Sequence, residues 1–284
     1  MANFWRIGNE LVKYGDQIVV DTTPPDVSGG TITIVGDYKV HTFTEDGSLI
    51  VSTGGRVSAL VVGGGGGSGW ARSTGGPFRI SCPAASGGGG GGWVENKKIN
   101  ISAITYNIII GNGGSGGYAV DASAALPGKY TRIVGLIDAS GGQGGERAFG
   151  FQHDPQWFWD AGDGGDCGDA STNGYLGGIV PGEGSESGQK SGGGGGSAGD
   201  GGLGDPNSGG LSTFIPYPID ASFGRGGTGR DFVGAGQTSG GSVGPANTGT
   251  GGGGCCCTSN QNGQTRNQNG APGGSGIVII WYKI

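Results

Sequence analysis

Few residues of this 284-residue chain have the type and spacing to do chemistry: two histidines, five cysteines, and four carboxylates in "DAGDGGDCGD" at 160–169. Nucleophilic catalysis needs a base beside a nucleophile and a third group that orients the base. His41 lies in a run that alternates apolar and polar residues, which reads as ordinary sheet filling. "GGSGG" at 113–117 has the form of a nucleophile elbow and "GRGGTG" at 224–229 that of a dinucleotide loop. With 74 glycines in the chain, such matches arise by chance, and no strand feeding a helix flanks the second. "GQKS" around Lys190 carries Gln189 where a phosphate loop has glycine before its lysine. The chain reads as non-enzymatic.

Metal chemistry is weakly supported as well. The carboxylates of 160–169, beside His153 and Asp154, offer oxygens to calcium, but neither an EF-hand nor a calcium-repeat spacing is present, so solvated turns are the preferred reading. Cys255, Cys256 and Cys257 are adjacent, and neighbouring Cα atoms lie closer than a relaxed disulfide allows. No C-x-x-C pair links them to Cys82 or Cys167, so the expectation is reduced, partly buried thiols, with no cofactor and no bound metal.

Binding chemistry has better material. "FGFQHDPQWFWD" at 149–160 places Phe149, Phe151, Trp157, Phe158 and Trp159 around His153. Read as outside any helix or strand period, these aromatics either plug a local core or face a partner, and rigid aromatic faces with polar rims also stack on sugars. "LSTFIPYPIDASF" at 211–223 adds Phe214, Tyr217 and Phe223, stiffened by two prolines, and "WARSTGGPFRI" at 70–80 adds Trp70 and Phe78. Gathered on one end of a stiff body, these islands would form a contact surface.

The elements that must hold them are strands and glycine. Residues 31–62 alternate apolar and polar positions, rich in Thr, Val and Ile, with breaks at Asp37, at 45–47 and at 53–55 that predict consecutive β-hairpins. Further strands are expected at 98–102, 105–111 and 130–139, and a terminal one at 275–284 that is apolar on both faces and so central or covered. No convincing amphipathic helix appears; "NELVKYG" at 9–15 is a short candidate that reads equally as strand. The glycine runs at 63–67, 87–92 and 192–196 have no side chains for a core, and ordering them costs more entropy than ordering any other residue. Polyglycine in a PPII-type helix, with every N–H and C=O turned outward to neighbouring rods, accounts for tracts of this length better than flexible linkers do. The expected fold class is therefore all-β, a small antiparallel sheet or sandwich from both chain ends, plus a bundle of polyglycine-II helices with surface loops.

A net charge of −6 with no Lys/Arg stripe argues against nucleic acid, and the longest apolar run is too short to span a bilayer. The first residues lack the basic start and long apolar core of a signal peptide, so synthesis in the cytoplasm is expected.

The succession "YKVHTFTEDGSLIVSTGGRVSALVVGGGGGSG", "YTRIVGLIDASGGQGG" and "GGSGIVIIWYKI" resembles the glycine-rich domain of tailed-bacteriophage tail proteins, related in kind to polyglycine-bundle tail-fibre adhesins. The resemblance covers roughly residues 36–284 and departs from the well-described adhesin tips in its opening segment and its loops. It implies a virion-associated tail or tail-fibre adhesin whose loops recognise a host surface glycan or outer-membrane protein. The alternative is a structural tail or capsid decoration protein. Three regions follow: an attachment segment at 1–27, a β region at 28–62 completed near 98–139 and 275–284, and a glycine-rich bundle with loops at 63–274. Phe4, Trp5, Ile7, Leu11 and Val12 are the attachment candidates, too few for a core of their own. They would dock on other tail or virion proteins, with docking on a second copy or on the rest of the chain left open.

Overall fold

The computed structural model describes residues 5–7, 10–12, 24–74, 83–153, 156–160, 163–168, 191–201, 209–229, 238–258 and 264–284. Strands and turns account for their secondary structure, and no helix occurs among them. "NELVKYG" contributes the strand Glu10–Val12, paired antiparallel with Trp5–Ile7.

Two five-stranded antiparallel sheets face each other. The first has the order Val94–Ile101, Gly55–Val62, Ile277–Lys283, Tyr38–Phe43, Thr31–Val35. The second has the order Ile137–Ala139, Thr131–Ile133, Thr105–Ile109, Gly47–Thr53, Asp26–Ser28. Alternation decides which side chains meet between them. Val57, Ala59, Val61, Val278 and Ile280 of the first sheet pack on Leu49, Val51, Ile108 and Ile133 of the second. The terminal strand is central, as its two apolar faces require. Its Val278, Ile280 and Tyr282 enter that core, while Ile277, Ile279 and Trp281 enter a second core on the outer face, closed by Ile215 and Phe223.

The expected run of consecutive hairpins holds at the first turn only. Thr31–Val35 pairs with Tyr38–Phe43 across a two-residue turn, where Gly36 takes the positive φ (57°) that the connection needs. At 44–46 and at Gly54 the chain instead crosses to the opposite sheet, so Gly47–Thr53 pairs with neither of the strands adjacent to it in sequence. The turn residues do mark the strand ends, but a turn signal does not say which sheet the next strand joins.

Glycine tracts leave this sandwich and return to it. Between residues 63 and 69, the N–H groups of Gly63, Gly66 and Gly69 donate to the carbonyls of Trp93, Gly90 and Gly87. Those of Gly64 and Gly67 donate to Lys129 and Leu126, and those of Gly65 and Ser68 to Gly274 and Ala271, all at 2.8–3.0 Å. The carbonyls of Gly64 and Gly67 accept from Gly142 and Gly145, those of Gly65 and Ser68 from Gly114 and Gly117, and that of Gly66 from Gly252. Every third residue thus turns to the same neighbouring segment, and this tract has distinct segments on all sides. Residues 87–92 repeat the pattern against 140–146, 192–195, 249–252, 165–168 and Gly227. Both tracts are buried, so backbone pairing leaves few polar groups unmet.

At the far end of this glycine layer lie two smaller sheets. One has the order Gln156–Asp160, Ala148–His153, Ala71–Thr74, Arg266–Gln268, with the middle pair parallel. The other has the order Thr238–Ser239, Cys256–Thr258, Pro83–Ala85.

Candidate functional site

The aromatic island at 149–160 is a regular hairpin. Phe149 pairs with Asp160, Phe151 with Phe158 and Gln152 with Trp157. This corrects the expectation that strand periodicity could not account for it: Phe149, Phe151 and His153, like Trp157 and Trp159, fall at period two along their strands. Ala148–His153 is anchored in parallel on Ala71–Thr74, which follows directly from the glycine tract ending at Gly69. Phe149 meets the Trp70 ring edge-on at 4.8 Å, and the Arg147 guanidinium lies 5.3 Å above the Phe149 ring. Trp70 is fully buried, and its indole fills a space that a methyl on Gly117 would invade, 2.7 Å from Cδ1. It is therefore an interior anchor and not a contact residue.

The 211–223 island is also a hairpin, Thr213–Ile215 with Ala221–Phe223. It lies at the other end of the glycine layer, against the outer face of the first sheet, so the expected gathering of the islands at one end is not what the structure has. Phe223 is buried in the core beside Leu60 and Val62 and leaves the contact candidates for the same reason as Trp70. Phe214 and Tyr217 stay exposed. The Tyr217 hydroxyl donates to the Val35 carbonyl (3.0 Å), and its ring stands edge-on to Tyr38 at 5.8 Å. Phe78 and Phe4 lie outside the described residues; Trp5, Ile7, Leu11 and Val12 fall in the two opening strands.

His41 and the four described cysteines are inward and engaged. The buried His41 donates from Nδ1 to the Gly29 carbonyl (2.9 Å), leaving Nε2 toward the Tyr282 hydroxyl at 3.4 Å, with the two rings stacked. Burial depresses its pKa below 6.5; the Gly29 bond opposes this and Lys39 adds to it. Cys167, Cys255, Cys256 and Cys257 are buried thiols outside any disulfide. Burial pushes Cys255 up to about 11 and Cys257 to about 12, so neither is a ready nucleophile. No group of three His, Cys, Asp or Glu side chains placed to hold a metal ion occurs among the described residues.

Sequence reading missed a groove of about 620 Å³ on the flank of the glycine layer near the sandwich, lined by Trp93, Tyr130, Asp138, Ser140, Gln143 and Asp166 among others. Its walls come from segments far apart in the chain, each too short to carry a motif. The isolated Trp93, directly after the six-glycine run, is the one local signal that could have pointed to it.

A family model described as a glycine-rich domain matches residues 43–283. No curated protein matches the chain at a significant level.

Proposed function

The chain belongs to the glycine-rich domain family, and from that premise we propose that it is a non-enzymatic virion protein of a tailed bacteriophage. In this reading it is a tail or tail-fibre adhesin that displays host-binding residues on a stiff glycine body. The tracts are polyglycine-II rods. The return of each third residue to the same neighbour is what a three-residue helical repeat gives, and rods without Cβ atoms can touch on every side. Slow amide exchange through 63–69 and 87–92 is expected; exchange at free-peptide rates would remove the rods.

The observation that carries the adhesin reading is the hairpin Ala148–His153 with Gln156–Asp160, rich in aromatics and held at the end of the glycine layer remote from the sandwich. Aromatic residues on a rigid support make contact area at low entropic cost. The test is labelling: fluorescent full-length protein is incubated with a panel of bacterial strains, and Trp157→Ala with Trp159→Ala should abolish staining of any strain that binds while the thermal melt is unchanged. Staining that survives both substitutions counts against the reading.

A second reading, a structural tail or capsid decoration protein, is favoured by the open edge of the first sheet. Ile32 and Ile34 on Thr31–Val35 are 44% and 58% exposed, the kind of edge across which subunits pair. Here the opening segment attaches the chain to its neighbours. Particles that incorporate a chain lacking residues 1–27 at normal copy number would refute that attachment.

A further inference from the structure

We infer that the outer edge of Thr31–Val35 is a self-association site, where the first sheet pairs antiparallel with the same strand of a second copy of this chain. The inference goes beyond both functional readings and holds under either, since it uses neither the aromatic hairpin nor residues 1–27.

The two edges of this sheet are built differently. Val94–Ile101, at one edge, carries Glu95, Lys97 and Lys98, the kind of charged guard that keeps a strand from pairing with another chain. Residues 29–36, at the other, hold no charge and no proline, and the strand has no bulge. Ile32 pairs with His41 and Ile34 with Lys39. Both isoleucines therefore stand on the side of the sheet where His41 stacks on Tyr282, toward the sandwich interior. They are exposed nonetheless, so apolar side chains that face inward meet solvent along this edge.

The hairpin turn fixes which backbone groups are free. Gly36 and Asp37 are closed by the pair Val35 and Tyr38, and hydrogen-bonded pairs alternate along an antiparallel ladder. Thr31, Thr33 and Val35 thus direct their N–H and C=O toward Tyr38–Phe43. Ile32 and Ile34 direct theirs outward, where no strand among the described residues meets them. The Tyr217 hydroxyl takes the Val35 carbonyl and leaves these outward groups open.

The sequence of the edge identifies its occupant. Residues 30–36 read "GTITIVG", a palindrome about Thr33 in which only Thr31 and Val35 differ, and those two share one branched shape. A two-fold interface requires a surface complementary to itself. With the axis at Thr33, Ile32 lies opposite Ile34 of the second copy, and the pair recurs on the other side of the axis. Each such pair exchanges both N–H···O bonds, and the isoleucines of the two copies gather on one face. The edge brings no like charges together, although the chain carries a net charge of −6.

Sedimentation equilibrium of the full chain tests this, run up to about 200 µM because so short an edge buries less than a standard interface. The mass should rise with concentration from 27.9 kDa toward twice that value. Ile32→Lys with Ile34→Lys restores a charged guard at two exposed positions. It should leave the thermal melt unchanged and weaken association at least about tenfold. Cross-linking reads the register. Under mild oxidation Thr33→Cys should give a disulfide-linked dimer beyond any formed by wild type, since the axis sets its two Cα atoms about 4.5 Å apart. Thr31→Cys should not, its two copies lying about 13 Å apart along the strands. A mass of 27.9 kDa throughout overturns the proposal, as does failure of Thr33→Cys to cross-link more than Thr31→Cys. Association that survives the lysine pair also overturns it, and if lost on removal of residues 1–27 assigns the contact to the opening segment.

Discussion

Replacing Gly89 with alanine tests the packing of the glycine layer directly. The Gly89 N–H donates to Gly252 at 2.7 Å, its carbonyl accepts from Gly227 at 2.8 Å, and its Cα faces the 63–69 tract. A methyl built there would overlap the Gly66 carbonyl and lie 2.7 Å from the Gly67 oxygen. Both obstacles are backbone and cannot rotate away, so the two tracts must separate. Overpacking of this kind costs about 1–3 kcal/mol. Separation also loosens the Gly66 to Gly90 bond (2.8 Å) and those of Gly89 itself, each worth about 1 kcal/mol and more if left buried without a partner. The lower entropy of the unfolded alanine chain returns about 0.4–1 kcal/mol. The net is a loss of about 3–6 kcal/mol, a fall in Tm of roughly 6–24 °C. Gly240→Ala is the matched control, since its methyl would meet only the Gln268 amide nitrogen, at 3.4 Å on a flexible side chain. That variant should melt within about 3 °C of wild type. Scanning calorimetry of the two variants decides the matter: if Gly89→Ala melts with Gly240→Ala, the tracts are not in backbone contact and the argument fails.

The thiol-specific reagent DTNB at pH 8 should leave Cys167, Cys255, Cys256 and Cys257 unreacted in the folded protein and titrate all five cysteines in denaturant; rapid reaction of several thiols without denaturant contradicts their burial. Because burial holds His41 below 6.5, the unfolded chain takes up its proton first. Stability from this group should be complete above about pH 6.5, fall as pH drops toward the folded pKa, and level off beneath it. Urea midpoints at pH 7.5 and 5.0 should therefore differ more for wild type than for His41→Gln, and an equal difference sinks the assignment. Leu49→Ala, in the core between the two large sheets, should cost about 2–5 kcal/mol in urea unfolding, whereas Ile50→Ala on the outer face of the same strand should cost less than about 1 kcal/mol.

Much of the sandwich was legible because alternation is a local property. Val57 and Ala59 against Arg56 and Ser58, or Tyr106 and Ile108 against Thr105 and Asn107, announce strand and facing at once. The crossings at 44–46 and Gly54 were not legible, since pairing with the neighbouring strand and crossing to the facing sheet use the same turn residues. Trp70 and Phe223 illustrate a different limit. In a glycine-rich setting an aromatic looks stranded, yet a bulky ring beside bare backbone is well placed to fill the irregular space where tract meets sheet. The groove was hidden for a third reason: Trp93, Tyr130, Gln143 and Asp166 belong to separate tracts, and only their lateral pairing brings them to one wall.

Ile277–Lys283 occupies the middle of a sheet whose other members all precede it by more than 170 residues, between Gly55–Val62 and Tyr38–Phe43. A ribosome delivers this strand after all of those partners, and residues 270–276, which wall in the earliest glycine tract, arrive just before it. Neither the first sheet nor the glycine layer can close while the nascent chain is still short, so maturation must be a late, concerted event with a long interval of exposed strand edges. Clipping that single ribbon, or delaying its emergence, would leave the whole body open at its centre.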